Sequence, residues 1–133
     1  MNILITGVTS GFGRQIAIDC IKNGFTVIGT GRRKNKLDDL KNELGDNFMP
    51  LCFDIGDMSA TKTALQTLPN DILTGIDVLI NNAGLSISHV RFYLLWLPKM
   101  TVMSSIFHQQ QAIIRILGRM SMGRARHLLR SLA

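Results

Sequence analysis

Ile3-Leu4-Ile5-Thr6-Gly7-Val8-Thr9-Ser10-Gly11-Phe12-Gly13 is the stretch that decides the fold. Three apolar residues and a threonine, stopped by glycine, have the pattern of a strand buried on both faces. The stripe Ile16, Ala17, Cys20 and Ile21 that follows has helical spacing, and Gly24 stands where a C′ stop belongs. Three glycines therefore lie between a strand and a helix. The first lets the chain turn tightly, the second lets a phosphate approach the backbone, and the third lets the helix pack close to the sheet. The helix N-terminus then offers N–H groups and a partial positive charge to a pyrophosphate. Glycines also mark plain turns, but the order strand, glycines, helix is the context that a dinucleotide site requires.

The pattern repeats outward from this stretch. Phe25-Thr26-Val27-Ile28-Gly29 predicts a second strand, and Leu37, Leu40 and Leu44 a second helix stopped by Gly45. Residues 48–53 predict a third strand. Asp57 or Ser59 can cap a third helix carrying Ala60, Ala64, Leu65 and Leu68. Residues 76–80 predict a fourth strand. Strand and helix alternate over short links, which predicts an α/β fold with a parallel sheet and crossover helices.

The loops that end these strands carry the remaining polar chemistry. The second strand ends in Thr30-Gly31-Arg32-Arg33, with Arg32 19 positions after Gly13. A site for NAD places an acid near here to hold the ribose 2′-hydroxyl. Two arginines instead suit a 2′-phosphate, through bidentate, charge-assisted bonds. The competing explanation is a solvated basic helix start, supported by Lys34 and Lys36, although arginines at that end oppose the helix dipole. Asp54 can accept from an adenine amino group while Ile55 covers a ring face, or Asp54 can simply cap a turn. Asn81-Asn82-Ala83-Gly84 gives small residues and amides that can reach a cofactor ribose, or an Asn-rich turn.

The chain has 133 residues, 46% of them hydrophobic and 18% charged, which fits one domain with a buried core and excludes a disordered chain. No apolar run reaches membrane-spanning length. The first seven residues lack the basic and small-residue features of a secretory signal. Cys20 and Cys52 have no metal or redox spacing, so reduced thiols in the cytoplasm are expected. The net charge of +6 is unevenly placed. Residues 1–85 hold 8 basic and 9 acidic side chains, whereas residues 86–133 hold 7 basic and no acidic ones. All three histidines and Gln109-Gln110-Gln111 fall in this second stretch.

Thr6-Gly7-xxx-Gly11-x-Gly13, followed 74 residues after Gly7 by Asn81-Asn82-Ala83-Gly84, resembles the short-chain dehydrogenase/reductase family. Thr30-Gly31-Arg32-Arg33 through Leu44-Gly45-Asp46 is most similar to its NADP-dependent 3-hydroxy acid dehydrogenases, the serine or allo-threonine type. The resemblance covers residues 1–85. It implies half of a Rossmann-type doubly wound parallel sheet of about four strands. It also implies NADP contacts at Gly7, Val8, Thr9, Ser10, Gly11, Phe12, Gly13, Arg32, Arg33, Asp54, Ile55, Asn81, Asn82, Ala83 and Gly84. Family members act with a Ser, a Tyr and a Lys four residues after the Tyr. Here the only tyrosine is Tyr93, position 97 is Leu97, and Lys99 is the only lysine after residue 85. No catalytic set can be placed, and Tyr93, within Phe92-Tyr93-Leu94-Leu95-Trp96, is expected to be packing.

With half of the sheet missing, the fourth strand is expected to be an apolar edge unless the tail covers it. Residues 101–117 can form a helix with Val102, Ile106, Ile113 and Leu117 on one side, and residues 118–133 a basic amphipathic segment. No nucleic-acid motif accompanies it, and an ill-packed tail without membrane or nucleic-acid partners is expected. A change of reading frame fits the composition break. Codons built from the third base of one residue and the first two of the next allow, from Arg119 onward, Asn-Val-Tyr-Gly-Ala-Ser-Lys-Ala-Phe-Val-Thr-Gln-Phe. From Thr101 they allow Gly-His-Val-Ile-Asn-Ile-Ser-Ser-Thr-Ala-Gly. These resemble the family's Tyr-x-x-x-Lys helix and serine strand. The second serine codon, spanning His108 and Gln109, falls 13 codons before the tyrosine codon, which spans Ser121 and Met122.

The expectation is therefore an NADP-binding unit over residues 1–85 followed by an out-of-frame basic tail over 86–133. The oxidoreductase activity on small hydroxy acids is implied by resemblance, and the catalytic residues for it are absent. Two rivals stand beside it, and a remnant with no function at all is a third possibility. One is an active oxidoreductase using other residues. The other is a non-catalytic nucleotide-binding module with a basic interaction tail.

Overall fold

The computed structural model describes residues 1–83 in full and the backbone of residues 101–108 and 111–117. Gly84, Tyr93, Lys99 and the basic segment 118–133 lie outside the described residues. The elements run β1 (Asn2–Thr6), α1 (Gly11–Lys22), β2 (Thr26–Gly31), α2 (Lys34–Leu44), a 3-10 turn (Gly45–Asn47), β3 (Phe48–Cys52), α3 (Met58–Gln66), α4 (Asn70–Thr74), β4 (Ile76–Asn81), β5 (Thr101–His108) and β6 (Gln111–Leu117). They build one sheet in the order β3-β2-β1-β4-β5-β6. β1 to β5 are parallel, and β6 runs antiparallel to β5.

β1 lies inside the sheet, and its apolar residues serve both faces. Ile3 and Ile5 join Ala17, Ile18 and Cys20 of α1, Leu37 and Leu40 of α2, Val27 and Phe48 in one layer. Leu4 joins Ile28, Leu51, Leu65 and Leu79 in the other. The alternation follows from the two-residue period of a strand. One irregularity interrupts it. The β1–β4 register shifts between Asn2 and Ile3, which pair with Ile76 and Val78. Asp77 is thus an extra residue, and Ile76 and Val78 fall into opposite layers. The Asp77 carboxylate accepts from the Asn2 N–H at 2.9 Å.

The helix stops match the sequence signals. After α1, Gly24 takes φ +81°. The Gly24 N–H donates to the Ile21 carbonyl and the Phe25 N–H to the Cys20 carbonyl, the two bonds of a Schellman motif. Of the two cap candidates for α3, Asp57 is the one used, accepting from the Ala60 N–H at 3.0 Å. Pro50 is tolerated in β3 because that strand is at the sheet edge.

The helix expected over residues 101–117 is not what forms. The backbone there makes two strands, with Val102 opposite Leu117 and His108 opposite Gln111. The stretch is dense in β-branched and aromatic residues (Val102, Ile106, Phe107, Ile113, Ile114, Ile116), which favour a pleated surface. β4 also offers an unfilled edge, and β5 takes it in parallel, Val78 opposite Thr101 and Asn81 opposite Ser104. The apolar edge expected at β4 is therefore covered, and among the described residues the parallel part of the sheet has five strands.

Candidate functional site

β2 and β3 lie on one side of β1 and β4 and β5 on the other. The strand order thus reverses at β1, which is where an open α/β sheet leaves a crevice beyond its carboxyl ends. A cavity of about 400 Å³ opens there, lined by Gly7, Thr9, Ser10, Thr30, Gly31, Arg32, Arg33, Phe53, Asp54, Ile55 and Ala83. Its size suits a nucleotide-sized ligand.

The floor is a turn of unusual closeness. Gly7 sits at φ +74°, left-handed backbone that disfavours any side chain. The N–H groups of Gly7 and Val8 both donate to the Thr30 carbonyl at 3.0 Å, which fastens the turn to the end of β2. Gly13 is buried against the same turn, where a Cβ would stand 2.1 Å from the Gly7 oxygen and 2.4 Å from Asn82 Nδ2. A Cβ on Gly11, by contrast, would meet nothing within 4 Å among the described residues. The glycines therefore divide the work: Gly7 turns the chain, Gly13 brings α1 against it, and Gly11 leaves open space over the helix start. Ser10 precedes α1 as its N-cap but makes no side-chain cap bond. Its hydroxyl supplies no acceptor to the helix's opening N–H groups, and the positive end of the helix dipole faces that space.

Thr6 and the asparagines lock the opposite wall. The buried Thr6 hydroxyl donates to Asn81 Oδ1 (3.3 Å) and accepts from the N–H groups of Asn82 (3.0 Å) and Ala83 (3.1 Å). Asn82 Nδ2 donates to the carbonyls of Thr6 (3.2 Å) and Gly7 (3.1 Å). The end of β4 is thereby tied to the glycine turn, and Asn82 serves as its clamp.

The basic wall comes from the end of β2. Arg33 Nη2 donates to Thr9 Oγ1 at 3.2 Å and reaches the Thr9 carbonyl at 3.5 Å. Arg32 also lines the crevice, and its guanidinium has no hydrogen-bond or ion-pair partner among the described residues. Lys34 turns along its own helix to Asp38 at 2.9 Å. The arginines and the following lysine therefore face different tasks, which a uniformly solvated basic helix start does not explain. On the third side, Asp54 Oδ1 accepts from the Gly56 N–H at 2.9 Å. Asp54 does cap a turn, and it lines the crevice together with Ile55.

Of the residues singled out in the sequence, Gly7, Thr9, Ser10, Arg32, Arg33, Asp54, Ile55 and Ala83 line the crevice. The Val8 side chain does not: it is fully buried in the core, since its N–H already turns it under β2. Gly11, Phe12 and Gly13 form the first turn of α1 beside the cavity, with Phe12 exposed. Asn81 is buried behind the wall. Thr6, Thr30 and Gly31 stand in the quoted motifs without an expected site role, and Phe53 is expected only as the end of the third strand; a small polar residue closing an apolar strand is the one signal for the two threonines. Among the described residues no three metal-binding side chains cluster.

A parallel sheet with a glycine turn at its order reversal, walled by arginines, defines the doubly wound, Rossmann-like class. The chain belongs to the short chain dehydrogenase family, whose model matches residues 1–122. A "Probable NADP-dependent dehydrogenase" of Dichelobacter nodosus is 51% identical over 87 residues, covering 65% of this chain and 81% of that protein. A serine 3-dehydrogenase of Rhizobium radiobacter is 54% identical over 85 residues, covering 64% of this chain and 34% of that one. Among solved structures, the closed form of serine dehydrogenase complexed with NADP+ superposes with a TM-score of 0.58 at 33% identity, over 72% of this chain and 42% of that one. The chain spans about a third of the length of most of the curated relatives it matches.

Proposed function

We propose that residues 1–85 bind NADP(H) in this crevice and that the chain by itself performs no hydride transfer. The carrying observation is the pair Arg32 and Arg33 beside an uncapped, glycine-opened helix start. In this assignment the first turn of α1, around Gly11, Phe12 and Gly13, takes the pyrophosphate. Arg32 and Arg33 take the 2′-phosphate, Asp54 the adenine amino group through its remaining oxygen, and Ile55 the ring face. The backbone of the Gly7–Ser10 turn and of Asn81 to Gly84 meets the riboses, Asn82 acting mainly through its clamp on Thr6 and Gly7. A bound nicotinamide would be the hydride carrier, donor as NADPH and acceptor as NADP+, for a catalytic set that this chain's sequence does not show. The fit is supported by the NADP-dependent naming of similar proteins and by the NADP+ complex of a similar structure. Serine- or 3-hydroxy-acid-like substrates are the class that the similar proteins suggest.

The absence of turnover rests on sequence: Tyr93 lacks a lysine at position 97, so no Tyr-x-x-x-Lys pair can donate and accept the substrate proton. We assign residues 86–133 to a frame change with loss of a segment after Asn81-Asn82-Ala83-Gly84. The aligned stretches of 85 and 87 residues in the two relatives above are close in length to the part before the composition break, although the family model runs on to residue 122. Cytoplasmic placement accords with the exposed free thiol of Cys52. Two experiments test the proposal. Calorimetry with NADPH should give a binding isotherm, while serine, allo-threonine and 3-hydroxypropionate should give no change in nicotinamide absorbance. Substrate-dependent reduction of NADP+ by the purified chain refutes the catalytic part. Coding DNA that spells no family peptide in the shifted frame refutes the frame change.

A further inference from the structure

Thr9 is placed between two neighbours that leave it little freedom. Its hydroxyl accepts from Arg33 Nη2 at 3.2 Å. Its methyl leans over Gly31, so closely that a Cβ there would stand 2.4 Å from Thr9 Cγ2. The glycine turn after β1 and the arginine after β2 are thus joined across the crevice by one side chain. We infer that Thr9 is a positioning residue that sets the preference for the 2′-phosphorylated cofactor by holding the Arg33 guanidinium in the crevice wall. This rests on the NADP(H) assignment above. A guanidinium has five N–H donors in a rigid fork. Thr9 engages Nη2 alone, so Nη1 and Nε remain for a phosphate while the fork stays anchored. Without the anchor Arg33 is a long exposed side chain, and each binding event must first immobilise it. Gly31 belongs to the same device, because a side chain there would displace Thr9.

The test is the ratio of NADPH to NADH affinity, measured calorimetrically on the full chain. Thr9→Val keeps the methyl and removes the hydroxyl. It should lower the ratio by roughly three- to tenfold, the worth of one hydrogen bond. Thr9→Ser, which keeps the hydroxyl, should restore most of the ratio. In an Arg33→Ala background Thr9→Val should lower the ratio no further, because Thr9 acts through that arginine. Gly31→Ala reaches the pair without altering either member and should lower the ratio as well, which keeps the test open if Thr9→Val does not fold. A ratio unmoved by both Thr9→Val and Gly31→Ala overturns the inference. So does a Thr9→Val effect of the same size with and without Arg33, or a loss of affinity shared equally by both cofactors. A wild-type chain that binds NADPH no better than NADH refutes instead the NADP(H) assignment on which it rests.

Discussion

Replacing Gly13 by alanine tests how the turn and the first helix are joined. In isolation the change favours folding, since alanine is better than glycine in a helix by about 1 kcal/mol. The surroundings reverse that sign. The new methyl would stand 2.1 Å from the Gly7 oxygen, over 1 Å short of ordinary contact, and 2.4 Å from Asn82 Nδ2. The first of these atoms is backbone and cannot swing away. α1 must lift from the turn, an overpacking cost of about 1–3 kcal/mol. The same methyl displaces the Asn82 amide and so weakens its bonds to Thr6 and Gly7, worth about 0.5–1.5 kcal/mol each. The net expectation is a loss of about 2–3 kcal/mol, or a fall in Tm of roughly 10 °C. Thermal unfolding followed by circular dichroism, with urea titration for the free energy, measures it. Gly11→Ala is the control: it meets nothing within 4 Å among the described residues but sits at φ +58°, so it should cost only about 1–2 kcal/mol of backbone strain. A Gly13→Ala chain as stable as wild type, or Gly11→Ala the more damaging of the two, refutes the packing argument.

Other outcomes follow from the same contacts. Asn82→Ala removes two bonds across the β1–β4 join and should cost about 1–3 kcal/mol by urea titration. Asp57→Ala removes the cap of α3 and should cost about 1 kcal/mol, with NADPH affinity unchanged because Asp57 is not in the crevice wall. Burial, with the Asp19 carboxylate adding to it, pushes the Cys20 thiol from 9.0 up to about 12. The folded chain thus keeps a proton that the unfolded chain loses, so stability should fall as pH climbs from about 9 toward 12. Cys20→Ala should flatten that slope. A thiol reagent at neutral pH should modify exposed Cys52 quickly and buried Cys20 only on unfolding, as mass spectrometry would show.

The sequence made the first four strands and three helices readable because each had a strong local signal. β1 is an apolar run closed by glycine, and α1 ends on a glycine with the Schellman bonds already implied. α4 was not foreseen: five residues, Asn70–Thr74, are too short for a periodic stripe. Over residues 101–117 the spacing of Val102, Ile106, Ile113 and Leu117 predicts a helix, while the open edge of β4 that selects a strand is a tertiary fact. At the site, residue types revealed the glycines and arginines. They did not reveal that Val8 turns inward, that Asn82 is a clamp, or that Thr6 is the buried hub of three bonds. Each of those depends on a partner 22 to 77 residues away in the chain.

Paired calorimetric titrations with NADPH and NADH, on the wild-type chain and on an Arg32→Ala/Arg33→Ala double variant, bear most directly on the central assignment. Two charge-assisted contacts to the 2′-phosphate should make NADPH the tighter ligand by about tenfold or more, and the double variant should bind both forms alike. Equal affinities in the wild-type chain, or no heat with either dinucleotide, would contradict it.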